Sequence, residues 1–228
     1  MRTETAYTVV PAGKARATVL VLHTWWGLTP VITRVCDTLA TLGYVSVAPD
    51  LYRGEVATTT EQALALRAGR RRTPVWRQLV AELERARAHA PGEAVGQVGF
   101  SMGGHWALWM AARSQPQVPP IAATAVFCAV RAGDVSAGRS AVQLHLAETD
   151  PYVTHAGVAR TVRGLQAAGR EVEVHRYPGT GHWFFDRDRP EEHDPAAAAL
   201  AWQRTVAFLG RHLAGPGAVS DGPRSPLG

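Results

Sequence analysis

Residues 95–104 form the stretch VGQVGFSMGG, in which an apolar run passes into a serine flanked by glycines. The run Val95–Phe100 is predicted to be a buried strand, and residues 105–113 are predicted to be helical. Ser101 then lies at a sharp strand-to-helix turn, where the glycines two positions away on either side leave space for a close backbone approach. We predict that this G-x-S-x-G turn presents Ser101 as a nucleophile. The alternative is a glycine-rich turn that merely exposes a serine.

Around this turn, predicted strands and helices alternate along the chain. Apolar or alternating runs predict strands at residues 17–22, 44–48, 95–100, 121–127, 142–147 and 171–177. Helical spacing predicts helices at residues 31–42, 61–68, 75–90, 105–113, 158–168 and 196–213. The alternation predicts an α/β fold with a mostly parallel central sheet and helices on both faces. In such a fold, ligands bind beyond the carboxyl ends of the strands.

The composition predicts one folded domain followed by a disordered tail. The chain has 228 residues, 46% of them hydrophobic and 19% charged, which is enough apolar material for a single core over residues 1–213. Residues 214–228 are rich in Gly, Pro and Ser and are predicted to be a disordered C-terminal tail. We see no signal peptide, no membrane span and too few cysteines for a disulfide framework. A cytoplasmic protein without a membrane partner is therefore expected.

The positive charge of the chain comes almost entirely from arginine. Lys and Arg total 24 against 19 for Asp and Glu, which gives a formal charge of +5. The densest cluster is Arg70, Arg71 and Arg72. We interpret it as a solvated face and expect no nucleic-acid partner, because no aromatic residues are interleaved with these arginines.

A nucleophilic serine requires a base, and His182 is the predicted base among nine histidines. It follows the strand predicted at 171–177 and lies downstream of Ser101, as the chain order serine, acid, histidine requires. His105, at the start of the helix after Ser101, is expected to pack or cap locally instead.

Asp150 is the predicted carboxylate that orients the base. It lies in the loop at the end of the strand predicted at 142–147 and precedes a proline, between the serine and the histidine in the chain. Asp134 and, less favourably, Glu148 are the alternatives, and an ordinary turn before proline is the competing interpretation of Asp150.

Stabilisation of a tetrahedral oxyanion requires two amide donors directed at one point. One is predicted to be the amide of Met102, directly after the nucleophile. The other is predicted to be the amide of Trp25, in the loop after the first apolar strand. The competing interpretation is that the Trp pair at 25–26 only packs against apolar neighbours.

Five segments of the chain, in order, resemble the dienelactone hydrolase family of α/β-hydrolases. They are HTWWGL at 23–28, GYVSVAPDLYRG at 43–54, GFSMGG at 99–104, AETDPYV at 147–153 and YPGTGHWFF at 177–185. The resemblance covers residues 17–213 and implies an α/β-hydrolase fold without a large cap domain. It also implies hydrolysis of a small ester or lactone with no metal ion and no organic cofactor.

Two departures from the family pattern affect the expected substrate. Family members with dienelactone activity have a cysteine nucleophile and a glutamate beside the oxyanion-hole amide, where this chain has Ser101 and Thr24. They also have an arginine that holds the substrate carboxylate four residues after the catalytic histidine, where this chain has Asp186. Because an acid cannot bind a carboxylate, we expect a neutral or apolar ester, lactone or thioester. Whether the arginines near 67–72 compensate stays open.

Mostly aromatic side chains near these segments are expected to bind the substrate. The predicted substrate-binding residues are Thr24, Trp26, Tyr152, Trp183 and Phe184. Trp106 and Trp109 are expected to belong to the core. The chain is thus predicted to be a serine hydrolase, monomeric or homodimeric, that forms an acyl-enzyme. The alternative is a non-hydrolytic or ligand-binding protein, such as a cyclase or isomerase helper in a biosynthetic pathway.

Overall fold

The computed structural model describes residues 3, 5–113, 119–131, 133 and 138–213. Its strands are β1 (Ala6–Val9), β2 (Ala17–Leu22), β3 (Tyr44–Pro49), β4 (Val95–Phe100), β5 (Ile121–Phe127), β6 (Ala141–Ala147) and β7 (Val172–Tyr177). Its helices are α1 (Pro30–Thr41), α2 (Thr60–Ala68), α3 (Arg72–Arg87), α4 (Met102–Ala111), α5 (His155–Ala167) and α6 (Pro195–Leu213). The predicted tail at 214–228 lies outside the described residues.

The strands form one sheet in the order β1-β3-β2-β4-β5-β6-β7. All neighbours are parallel except β1, which pairs antiparallel with β3 at one edge. The predicted mostly parallel α/β sheet is therefore confirmed. The edge strand β1 was not predicted from the sequence, because four residues show too little periodicity to be recognised.

Helices cover both faces of this sheet, as predicted. Successive residues of β2 alternate between the two cores, with Leu20 facing one side and Val21 the other. Helices α3, α4 and α5 pack on the first side, and α1 and α6 pack on the second. Strand β5 ends at Phe127 and β6 begins at Ala141, so the connection between them is too short for a cap domain.

Three helices begin three residues earlier in the chain than predicted. Helix α4 begins at Met102, directly after Ser101, α3 begins at Arg72 instead of residue 75, and α5 begins at His155 instead of residue 158. These starts are polar or glycine-rich, so apolar spacing does not reveal them. None of the described helices has both the length and the apolar content needed to cross a membrane.

Candidate active site

Ser101 has a strained backbone at the turn between β4 and α4. Its φ is 51° and its ψ is −111°, a left-handed conformation that a residue with a Cβ adopts only at an energetic cost. A Cβ on Gly103 would lie 2.1 Å from the carbonyl oxygen of Leu22, and one on Gly99 would lie 2.5 Å from the carbonyl oxygen of Gly103. The two glycines of the motif are therefore needed for the turn to close against the end of β2.

The structure brings Ser101, His182 and Asp150 together, although they are far apart in the chain. His182 Nε2 lies 2.8 Å from Ser101 Oγ, and His182 Nδ1 lies 2.7 Å from Asp150 Oδ2. Because a carboxylate can only accept, Nδ1 donates to Asp150, and Nε2 is left to accept the hydroxyl proton of Ser101. The side chains of His182 and Asp150 are only 3% and 4% exposed, so the array is shielded from water.

The carboxylate of Asp150 is itself held in place by backbone amides. Its Oδ1 accepts from the amides of Tyr152 at 2.8 Å and Val153 at 3.1 Å. Glu148, an alternative acid, instead accepts from the amide of Gly179 at 2.8 Å and so fastens the histidine loop to the end of β6. The other alternative, Asp134, lies outside the described residues.

The predicted oxyanion donors belong to residues that line the same cavity as Ser101. Met102 is the first residue of α4, so its amide points out of a helix N-terminus. Trp25 lies in the loop after β2, where Thr24 Oγ1 accepts from the amide of Trp26 at 3.1 Å and tightens the turn. Within the ranges that the structure describes, neither the Met102 amide nor the Trp25 amide donates to another protein group. Both are thus free to bind an oxyanion.

A cavity of about 450 Å³ opens over Ser101. Trp25, Tyr152 and Trp183 form an aromatic wall of this cavity, and Tyr152 and Trp183 are two of the predicted substrate-binding residues. Tyr152 is 56% exposed, and its ring packs edge-on against His182, with the ring centroids 4.8 Å apart. Tyr152 therefore lies at the mouth of the cavity, directly beside His182.

Three of the predicted substrate-binding residues are not in this cavity. Phe184 is fully buried in the core, where its ring stacks on Tyr177 at 4.9 Å, so its prediction was wrong. Trp26 lies behind the aromatic wall, with the guanidinium of Arg189 3.6 Å above its ring. Thr24 lines a much smaller cavity, of about 20 Å³, on the other side of Ser101.

Two residues that were expected to pack away from the site also line the cavity. Trp106 is buried but lines the cavity, instead of belonging only to the core. His105 also lines it, and its Nε2 accepts from the guanidinium of Arg131 at 2.6 Å. Apolar periodicity placed Trp106 in the core because a helix residue next to a cavity is buried on most sides.

Arg67, Arg70 and Arg72 line the same cavity. The interpretation of residues 70–72 as a solvated face was therefore incomplete, because arginines contribute to the lining of the cavity. Asp186, from which a neutral substrate was expected, lies outside this cavity and accepts from the amide of Asp188 at 3.1 Å. Burial raises the pKa of that carboxyl group.

One group of potential metal ligands was found among the described residues. The ligand atoms of Cys128, Asp150 and His182 lie within 4.8 Å of one another. Asp150 and His182 already bond to each other, and burial raises the pKa of the Cys128 thiol. His182 also bonds to Ser101, so two of these three residues already belong to the hydrogen-bonded array.

The model of the dienelactone hydrolase family matches residues 5–213. The chain belongs to the dienelactone hydrolase family. A family relative, the carboxymethylenebutenolidase of Rhodococcus opacus, is 30% identical over 209 residues, which are 86% of this chain and 81% of the relative. Protein usf of Aquifex pyrophilus is 28% identical over 204 residues, covering 86% and 88%. As a member of this family, the chain is a hydrolase of the kind that acts on esters or lactones.

Solved structures share the fold of this dienelactone hydrolase family member. A dienelactone hydrolase-like promiscuous phosphotriesterase from metagenomic libraries superposes with a TM-score of 0.75 at 20% identity, over 88% of each chain. Esterase 2 of Thermogutta terrifontis, phosphonylated by sarin, superposes with a TM-score of 0.63 at 16% identity, over 92% of this chain and 91% of its own. These likenesses establish the α/β-hydrolase fold predicted from the sequence.

Proposed function

We propose that the protein is a serine hydrolase that cleaves a small ester or lactone through Ser101, His182 and Asp150. The observation that carries this proposal is the continuous hydrogen-bonded chain of these three side chains, at 2.8 and 2.7 Å, above a strained serine turn. Such an array activates a hydroxyl group that would otherwise be a weak nucleophile.

In the first half of the reaction, Ser101 Oγ attacks the carbonyl carbon while its proton moves to His182 Nε2. The negative charge on the carbonyl oxygen is stabilised by the amides of Met102 and Trp25. The intermediate collapses, the carbon–oxygen bond to the leaving group breaks, and His182 returns the proton to the leaving oxygen. An acyl-enzyme ester on Ser101 is left. Asp150 holds the imidazole and stabilises its transient positive charge.

In the second half, a water molecule attacks the acyl-enzyme. His182 takes one proton from the water as its oxygen bonds to the carbonyl carbon, and the second tetrahedral intermediate again uses the two amides. Collapse breaks the bond to Ser101 Oγ, which regains the proton from His182. The products are a carboxylic acid and an alcohol, which stay in one molecule when the substrate is a lactone.

The proposed substrate has an anionic group as well as a cleavable ester bond. Arg67, Arg70 and Arg72 line the cavity together with the aromatic residues Trp25 and Trp183. Guanidinium groups bind carboxylates through paired charged hydrogen bonds. A cavity of about 450 Å³ accommodates a small molecule and excludes a folded polymer.

Labelling with a fluorophosphonate tests the nucleophile. We expect one adduct per chain, located on Ser101 by peptide mass spectrometry. We also expect Ser101→Ala to lower kcat for a chromogenic short-chain ester by roughly 10⁴-fold or more. Ser46→Ala is the matched control, because Ser46 is a fully buried serine on β3 that bonds to the Cys36 carbonyl, and it should retain labelling and turnover.

Absence of labelling in the intact protein, or full turnover by Ser101→Ala, would overturn the proposal. A protein that binds a small ester without labelling or turnover would instead support the non-hydrolytic alternative. Equilibrium binding of the ester separates these two results. It is measured as quenching of the fluorescence of the tryptophans in the cavity.

A further inference from the structure

His23, at the end of β2, makes a hydrogen bond at each ring nitrogen although it is fully buried. Its Nδ1 lies 2.6 Å from the carbonyl oxygen of Thr24, and its Nε2 lies 3.1 Å from the amide nitrogen of Leu51. Because the Leu51 amide can only donate, Nε2 must accept, and the proton of a neutral ring then lies on Nδ1 and points at Thr24. Burial lowers the pKa of His23, which favours this neutral form.

The carbonyl group that His23 binds belongs to the same peptide unit as a candidate oxyanion donor. The Thr24 carbonyl and the Trp25 amide are opposite ends of one planar peptide, so an orientation imposed on the oxygen also orients the N–H group. The amide of Gly27 donates to the same oxygen at a longer distance, 3.3 Å. His23 thus provides the shorter of the two bonds that set the direction of the Trp25 amide.

The segment that anchors His23 also contacts the other candidate donor residue. Tyr52, next to Leu51, directs its hydroxyl group at the sulfur atom of Met102, 3.4 Å away, and its ring lies 5.2 Å from the His23 ring. Asp50 holds this segment by accepting from the amides of Tyr52 at 2.9 Å and Gly54 at 2.8 Å. The loop after β3 therefore contacts the residues on both sides of the proposed oxyanion hole.

We propose that His23 is a positioning residue. It aligns the Thr24–Trp25 peptide so that the N–H group of Trp25 points at the oxyanion that forms when Ser101 attacks the substrate. This inference rests on the proposed function. It adds that the buried imidazole acts through a peptide plane and does not touch the substrate. A donor held in advance stabilises the transition state without reorganisation, and the bond to the Thr24 oxygen also polarises the peptide toward a stronger N–H donor.

Two substitutions separate this role from general packing. His23→Leu removes both ring bonds, whereas His23→Asn keeps an N–H donor near the position of Nδ1. We expect His23→Leu to lower kcat for a chromogenic ester about 10- to 100-fold with KM within about 2-fold, since a misaligned donor costs part of an oxyanion interaction. His23→Asn should recover most of the lost kcat.

The decisive readout is inhibition by a trifluoromethyl ketone. The serine oxygen attacks its carbonyl carbon, and the carbonyl oxygen becomes a tetrahedral oxyanion. Its Ki should rise in His23→Leu by the same factor by which kcat/KM falls. His145→Asn is the matched control, because His145 is also fully buried and bonded at both ring nitrogens, but it lies within β6 and lines no described cavity. It should lower the thermal midpoint and leave Ki unchanged.

A folded His23→Leu protein with kcat within about 2-fold of the original would overturn the inference, as would a lower kcat/KM with an unchanged Ki. If His23→Leu does not fold, His23→Gln replaces it, since its amide reaches the Nε2 position but lacks the Nδ1 donor. Failure of the original protein to react with the fluorophosphonate would instead indicate that the proposed nucleophile is wrong. The two failures are therefore distinguishable.

Discussion

At the scale of single residues, the strained backbone of Ser101 is held by its neighbours. A left-handed conformation at a residue with a Cβ costs about 1–3 kcal/mol, which the surrounding contacts must offset. The amide of Ser101 donates to the Phe127 carbonyl at 2.8 Å, and its own carbonyl accepts from the His105 amide at 3.1 Å. These bonds connect the turn to β5 and to the first turn of α4, so the hydroxyl group stays above the sheet.

Substitution of Gly103 should show how tightly this turn is packed. A Cβ there would meet the backbone of Leu22 and His23 at 2.1–2.6 Å, and backbone atoms cannot move aside easily. We expect Gly103→Ala to lower the free energy of unfolding by about 1–3 kcal/mol, measured by urea denaturation. Gly210→Ala is the control, because the space around this helix residue is open. It should be neutral or stabilising by up to about 1 kcal/mol, and equal losses at both sites would contradict the steric argument.

At the scale of secondary-structure elements, a buried polar network joins β6 to β7 and α6. The ring of His145 on β6 bonds to the Tyr177 hydroxyl at 2.6 Å and to Thr205 Oγ1 at 3.0 Å. It also bonds to the Gln143 amide oxygen at 2.8 Å, so both ring nitrogens are satisfied. A buried polar network with its partners in place specifies how the elements pack, and here it joins β6 to its neighbours β7 and α6.

Protonation of His145 should weaken the fold as the pH falls. Burial, with the nearby charges of His175 and Arg204, lowers the pKa of His145 well below its usual value of 6.5. The unfolded chain therefore binds a proton below about pH 6.5 that the folded chain does not, and stability is lost as the pH drops. We expect His145→Gln to reduce the dependence of the unfolding free energy on pH between about pH 5 and pH 7 by up to about 1.4 kcal/mol per pH unit. An unchanged slope would contradict this explanation.

The elements with a clear apolar period were predicted to within a few residues. Helix α1 was predicted at 31–42 and observed at Pro30–Thr41, and β5 agrees in full with its prediction. The failures occur where the period is weak. Strand β1 has four residues at a sheet edge, and the start of α4 is glycine-rich, so neither shows a buried stripe.

At the scale of the whole molecule, the cavity combines segments that are distant from one another in the chain. Arg67 lies on α2, and Arg70 lies just before α3, yet both reach the cavity at the carboxyl edge of the sheet. The aromatic wall comes from loops after β2, β6 and β7. The lining therefore combines arginines with aromatic rings, a composition that suits a substrate with a charged group and an apolar body.

Removing the charge of the three cavity arginines should weaken the binding of charged substrates selectively. We expect the combined replacement of Arg67, Arg70 and Arg72 by Gln to raise KM for a nitrophenyl ester with a terminal carboxylate about 10-fold or more. KM for an uncharged ester of equal length should change less than about 2-fold. Arg77→Gln on α3 is the control, because Arg77 is exposed and does not line the cavity.

Added salt provides an independent check on this prediction. The preference of the original protein for the carboxylate ester should decrease as the ionic strength rises, since exposed guanidinium groups are screened. Equal losses for charged and uncharged esters in the triple variant would show that these arginines only maintain the shape of the cavity.

The sequence by itself determined the order of the helices and of the strands after β1, the strained turn around Ser101 and the chain order of the three candidate catalytic residues. These features depend on apolar periodicity and on local turn chemistry, both of which are encoded within a few neighbouring residues. Only the tertiary structure decided which side chains face the cavity. Phe184 lies in the core, whereas Arg67 and Arg70, from another part of the chain, line the cavity. The physical reason is that adjacent residues of a loop point in different directions, and their surroundings are set by the packing of segments that are distant in the sequence.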